Sequence, residues 1–236
     1  MPEEFEDQDL SDSVFWGVNL ERVYVRDANL AEARFFHTWW TDVSIDGIVD
    51  RLVVNGVDVT DFVNSRDRWF PLRTQLEPST DDQLRATWDA IQSEWSSLLE
   101  RVDAMPPDTT STSVAGEWSL RDTLRHLVFA MDKWLRWPIV GAREFSSIGL
   151  PNTGSRDRDW PGLDLDADPS FADVMAIRRA YVDEFRRGIH EYSISQLPET
   201  VDVLENGSVP ALMCFHVVLE EEFEHLRYAL RDLDQI

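Results

Sequence analysis

The chain has a single cysteine, Cys214, among its 236 residues. A disulfide within one chain therefore cannot form, and this suits a reducing cytoplasm. Basic residues are also scarce: 22 lysines and arginines stand against 45 aspartates and glutamates, a formal net charge of −23. So negative a surface repels phosphate backbones and anionic lipid, which argues against direct nucleic-acid or membrane binding. No uninterrupted apolar run approaches the ~20 residues that span a bilayer. The first residues, MPEEFEDQDL, have neither the charged start nor the apolar stretch of a signal peptide, so a cytoplasmic location is expected. There is no Gly-rich phosphate loop and no nucleophile elbow, and one cysteine makes no CxxC pair. What the chain does hold is apolar: 43% hydrophobic residues and 10 tryptophans, enough for a substantial core.

Residues 8–53 repeat with a period of five. Leu10, Phe15, Leu20, Val25, Leu30, Phe35, Trp40 and Ile45 share one phase, and small or β-branched residues such as Val18, Val23, Ala28 and Ala33 lie two positions earlier. Neither the 3.6-residue helix nor the two-residue strand produces that register, whereas a solenoid does. With segments such as Asn19-Leu20 and Ala28-Asn29-Leu30, residues 1–55 resemble the pentapeptide-repeat family. The resemblance implies a short right-handed β-helix of about two coils, with the pattern fading after Ile48. Large apolar side chains, Trp16, Tyr24, Phe36 and Trp39, occupy outward positions. A structural cap or platform is the simpler reading; a protein-binding or DNA-mimicking surface is the other, and the acidic charge is compatible with it.

Residues 56–79 form a linker, entered through a strand-like LVVNGVDV with an Asn-Gly turn signal. From Thr80 the period becomes helical, so residues 80–236 are expected to form a mainly α four-helix bundle. The first helix carries Leu84, Trp88, Ile91, Trp95, Leu98 and Val102 behind a Thr80/Gln83 capping box. The second starts at Ser119 with Asp122 and runs to about Val140. The third starts at Ser170 with Asp173, and the fourth begins near Ser208–Pro210 and ends near Leu233. Connections of about 15, 29 and 17 residues are too long for a simple up-down bundle and require at least one crossover. The middle connection has no helical period and contains three prolines; it reads as a lid or an extended crossover.

On the fourth helix, ~100° per residue places Glu221 and His225 within about 40° of each other, at the border of the apolar stripe. His126 occupies the same kind of border on the second helix. If the two helices run antiparallel, these groups meet near one end of the bundle. Two imidazoles and a carboxylate would then make a three-ligand metal site with an open position. Glu222 and His225 form a competing Glu-x-x-His spacing, but Glu222 points into the apolar arc and is a candidate partner supporting the ligands, or a general base, instead of a ligand. Of the remaining histidines, His216 faces away and could pair with Glu220, His190 suits a helix C-terminus, and His37 lies in the repeats. Cys214, two turns from Glu221, reads as a core residue.

The segments Gly116-Glu117-Trp118-Ser119-Leu120 and Leu124-Arg125-His126-Leu127, with the final EEEFEHLRYALRDL, resemble the DinB superfamily over roughly residues 80–233. That resemblance implies a metal-binding four-helix bundle with one histidine ligand on the second helix and an HxxxH pair on the fourth. His126 matches the first ligand and His225 the last, while Glu221 stands where the family usually has histidine. The carboxylate makes the site harder and more negative, which leaves zinc, nickel and manganese as candidates. The resemblance further implies a metal-dependent hydrolase, or a transferase or isomerase using a low-molecular-weight thiol on a small-molecule substrate. Glu222 and Tyr228 would be its proton-handling residues. A homodimer is compatible with the exposed aromatics. The competing expectations are a non-catalytic interaction module acting through the acidic repeat surface, and a bundle that keeps the fold without metal.

Overall fold

Two compact units, Met1–Gly47 and Ile48–Ile236, divide the protein where the five-residue rhythm fades. The structure, a computed structural model, describes residues 5, 8–25, 28–152, 155–156, 158–191 and 193–236.

In the first unit the rhythm is written into the backbone. Asp12, Gly17, Arg22, Glu32, His37 and Asp42 all have φ between 54° and 64°, five or ten residues apart. The N–H groups of Ser13, Val23 and Ala33 donate to the carbonyls of Leu10, Leu20 and Leu30. The Asn19 and Asn29 side chains accept from Glu21 and Ala31 N–H at 2.9 Å each. The rings of Phe35 and Trp40, both in the apolar phase, meet edge-on at 5.2 Å. The expected β-helix, however, is not supported, because no strand forms among the described residues of this unit. The physical reason is the shortness of the extended stretches: residues of positive φ, five or ten apart, leave only brief segments between them. The apolar phase, Leu10 to Ile45, accordingly stays 42–64% exposed, and Trp16 and Trp39 reach 91% and 94%.

The second unit opens with the hairpin that the Asn-Gly signal predicts. Strand β1 (Val53–Val54) pairs antiparallel with β2 (Val57–Asp58), and Asn55 (φ 51°) and Gly56 (φ 82°) form the turn. Positive φ at both central residues matches the right-handed twist of the flanking strands, and glycine and asparagine adopt it most easily. Two short helices follow in what the sequence shows as a polar link, α1 (Thr60–Asn64) and α2 (Phe70–Arg73).

Four long helices make the bundle: α3 (Asp81–Asp103), α4 (Leu120–Met131), α5 (Phe171–Glu191) and α6 (Ala211–Leu233). Their starts are fixed by side chains. Thr80 Oγ1 accepts from Gln83 N, Ser119 Oγ from Asp122 N, and Ser170 Oγ from Asp173 N, at 3.2–3.3 Å. In the first box the reciprocal bond is shifted by one residue, with Gln83 Oε1 accepting from Ser79 N. The second helix does reach Val140, but from Asp132 onward it widens into a π-helix containing Pro138. Proline cannot donate to the helical ladder and its ring crowds the preceding turn, so a wider turn accommodates it.

Contacts order the helices around the bundle as α3, α5, α4, α6 and back to α3. Gln92 meets Glu222 and Arg101 meets Leu233, so α3 and α6 run parallel. Arg85 meets Ile189, setting α5 antiparallel to α3. Arg121 reaches Pro169 and Asp132 reaches Tyr181, so α4 and α5 are parallel neighbours. Parallel neighbours need a return along the bundle, which explains the long connection between them as a crossover. A second hairpin, β3 (Thr200–Asp202) with β4 (Ser208–Pro210), leads into α6. The core includes Trp88, stacked on Phe185 at 4.0 Å, together with Ile91, Leu98, Leu124, Leu127, Phe223 and Leu226. No helix of the described residues is long and apolar enough to cross a membrane.

Candidate metal centre

His126 lies on α4, seven residues past its Ser119 cap, and Glu221 and His225 lie one turn apart on the antiparallel α6. The antiparallel pairing brings the three together. Nε2 of His126 and Nε2 of His225 each lie 3.2 Å from the same oxygen, Glu221 Oε2. One donor atom from each of the three falls within 4.8 Å of the others. The two ring centroids are 4.8 Å apart. The histidine side chains are 8% and 12% exposed and Glu221 is 29% exposed, so the carboxylate is the most open of the three.

The tautomer of His126 is fixed from the crossover. Its Nδ1 lies 2.9 Å from the Leu150 carbonyl oxygen, which can only accept, so Nδ1 carries the proton. In the neutral ring Nε2 then has a lone pair, and it faces a carboxylate oxygen that also has only lone pairs. Two acceptors 3.2 Å apart need a proton or a cation between them. The spacing is that of adjacent ligands around a cation at about 2.1 Å, and two imidazoles with one carboxylate are a known zinc donor set. The residues therefore fit a divalent metal. Without a cation the alternative is protonated rings: burial would raise the Glu221 carboxyl, but hydrogen bonds and charge from protonated His126 and His225 hold it well below the usual glutamate range.

Aromatic rings enclose the group. The Trp118 ring lies 4.8 Å from that of His126 and stacks on His225 at 6.0 Å. Phe129 lies 6.1 Å from His126, and Tyr228 meets His225 edge-on at 5.9 Å. Sequence reasoning gives no role to Trp118 or to the Leu150 carbonyl. Trp118 directly precedes the Ser119 cap, and that position is a usable signal; a backbone carbonyl on a loop leaves none.

Other candidates are placed elsewhere. Glu222, expected to handle protons, is 1% exposed and turned from the group toward α3 and α5. Its Oε2 accepts from Arg178 and, at 3.3 Å, from Gln92. These contacts engage the carboxylate in a buried ion pair, not with the three converging side chains. His216 does not rely on Glu220, since its Nε2 meets the Pro78 carbonyl at 3.0 Å. His190 is exposed at the end of α5, and His37 is an exposed turn residue. Cys214 is buried, and burial pushes its thiol up to about 11.

A four-helix bundle with a candidate metal centre between its second and fourth long helices is the class of protein that fold and site together define. More particularly, the chain belongs to the DinB superfamily, whose family model matches residues 90–229 and so takes in His126, Glu221 and His225. No curated protein and no solved structure matches the chain.

Proposed function

We propose that the protein binds one divalent metal ion through His126, Glu221 and His225, and that the loaded centre serves a metal-dependent hydrolase or a thiol-dependent transferase or isomerase acting on a small molecule. The observation that carries this is the convergence of two imidazole Nε2 atoms on one carboxylate oxygen, with His126 locked in the tautomer that leaves Nε2 free to coordinate. The chemistry such an ion supplies is Lewis acidity, which lets water or a thiol lose a proton near neutral pH. Around it, Trp118 and Phe129 restrict access of bulk water and hold the rings in place. Tyr228, edge-on to His225, is the candidate proton carrier. Two imidazoles favour zinc or nickel, and the carboxylate extends the range to manganese.

Elemental analysis of protein purified from metal-supplemented medium is expected to find one ion per chain, and His126→Ala to lose it. Wild-type protein that stays metal-free after exposure to zinc, nickel and manganese would refute the proposal. Because protons and the metal compete for the same lone pairs, affinity is expected to fall on acidification, with proton release on binding. Isothermal titration in buffers of different ionisation enthalpy measures that release, and a pH-independent affinity would contradict it.

The repeat unit supports a second reading, a non-catalytic interaction module, because Trp16 and Trp39 stand almost wholly exposed beside many acidic groups. Pull-down with residues 1–47 deleted tests it: partners that persist after the deletion would exclude the repeat surface as their site.

A further inference from the structure

The crossover between α4 and α5 does more than return the chain. Its segment Ser146–Leu150 lies along α4 as a strap, tied at several points. Ser146 N–H donates to Asp132 Oδ2 at 2.7 Å, and Gly149 N–H to Ser146 O at 3.1 Å. Leu150 N–H then donates to the Arg125 carbonyl at 3.2 Å, and Leu150 O receives Nδ1–H of His126 at 2.9 Å. Gly149 lets the strap lie this close: a Cβ there would come within 3.0 Å of Leu163 Cδ1 and 3.3 Å of Phe129 Cβ.

One side chain spans the strap and the helix. Arg125 is 5% exposed, its Nε donates to the Ile148 carbonyl at 2.9 Å, and its Nη1 donates to Asp122 Oδ1 at 3.3 Å. Asp122 in turn belongs to the Ser119 cap of the same helix. A buried guanidinium is costly unless bonded, and the bonds this one makes fix the peptide two residues before the Leu150 carbonyl.

We propose that Arg125 is a positioning residue of the centre, holding the Ile148–Leu150 strap against α4 so that the Leu150 carbonyl keeps the proton of His126 on Nδ1 and Nε2 presents its lone pair toward Glu221. The consequence for metal binding rests on the function proposed above; the consequence for the tautomer does not.

The two are separated by measuring both. Long-range proton–nitrogen NMR of histidine-labelled, metal-free protein at alkaline pH reads the tautomer of each ring. Wild type is expected to show His126 protonated on Nδ1, and folded Arg125→Ala to show a mixture or a switch to Nε2, with Arg125→Lys restoring the wild-type signal in part. Gly149→Val displaces the strap without removing a charge and is expected to shift the tautomer in the same direction, so the inference remains testable if Arg125→Ala does not fold. Zinc affinity, read by competition with a chromophoric chelator, is expected to fall about 10- to 100-fold in either variant. A His126 ring protonated on Nε2 in wild type, or a tautomer unchanged in the folded variants, would overturn the role of Arg125. Correct tautomers in a wild-type protein that takes up no zinc would instead defeat the metal reading alone.

Discussion

Replacing Glu222 with alanine is expected to destabilise the protein by about 3–5 kcal/mol, because its carboxylate is paired with a buried guanidinium. Its carboxylate and the Arg178 guanidinium are 1% and 4% exposed, so both charges have left water. Burial pushes the Glu222 carboxyl up, and the contact with Arg178 and the bond from Gln92 oppose that shift. Trp95 Nε1 also donates to the Glu222 backbone carbonyl at 3.1 Å, so α3, α5 and α6 meet at this point. Deleting the carboxylate strands a buried cation among apolar side chains, which is the costly half of the experiment. Replacing both partners by methionine removes both desolvation penalties and fills the volume. That double variant is expected to unfold within about 1 kcal/mol of wild type, or later. Urea denaturation of Glu222→Met, Arg178→Met and the double methionine variant closes the cycle. Single losses below about 1 kcal/mol would show that the pair contributes little to stability.

The same pair shows how far the sequence could be read. The bundle was legible because its helices carry apolar positions three and four apart and begin at Thr80, Ser119 and Ser170, residues whose hydroxyls cap the first turn. The candidate centre was legible as a spacing: Glu221 and His225 share a face by helix geometry, and only the antiparallel course of α4 against α6 was needed to add His126. The side of α6 on which Glu222 would find a partner was not legible, because Arg178 lies 44 residues away on a helix whose orientation depends on the crossover. The π-helix after Met131 was equally hidden, since Pro138 signals a disturbance without saying whether the helix ends or widens. In the repeats, the period of five reappears as positive-φ residues five or ten apart, but the β-helix it led one to expect is not supported, because a sequence period does not say whether the short extended stretches find partners.

Asp132→Ala is expected to cost about 3–4 kcal/mol, because it leaves several buried donors without an acceptor. Asp132 is 1% exposed and stands where α4 becomes the π-helix. Its Oδ1 accepts from Tyr181 OH at 2.9 Å and from Arg136 at 2.7 Å, and its Oδ2 accepts from Ser146 N–H. Arg136 extends the network to Glu184 at 2.9 Å. Three elements are thereby joined at one carboxylate: the π-helix, α5 and the start of the strap that reaches His126. Burial raises the Asp132 carboxyl above its usual range, and the bonds from Ser146, Arg136 and Tyr181 offset only part of that shift. Asparagine keeps one acceptor for Tyr181 and Arg136 but turns an amide N–H toward the Ser146 N–H. It is therefore expected to cost about half as much as alanine and to release the strap specifically. Hydrogen exchange separates these effects: Leu150 N–H should exchange faster in Asp132→Asn while the amides in the middle of α3 keep their wild-type rates. Uniform acceleration throughout the bundle would mean that Asp132 supports the fold as a whole and has no particular part in holding the strap.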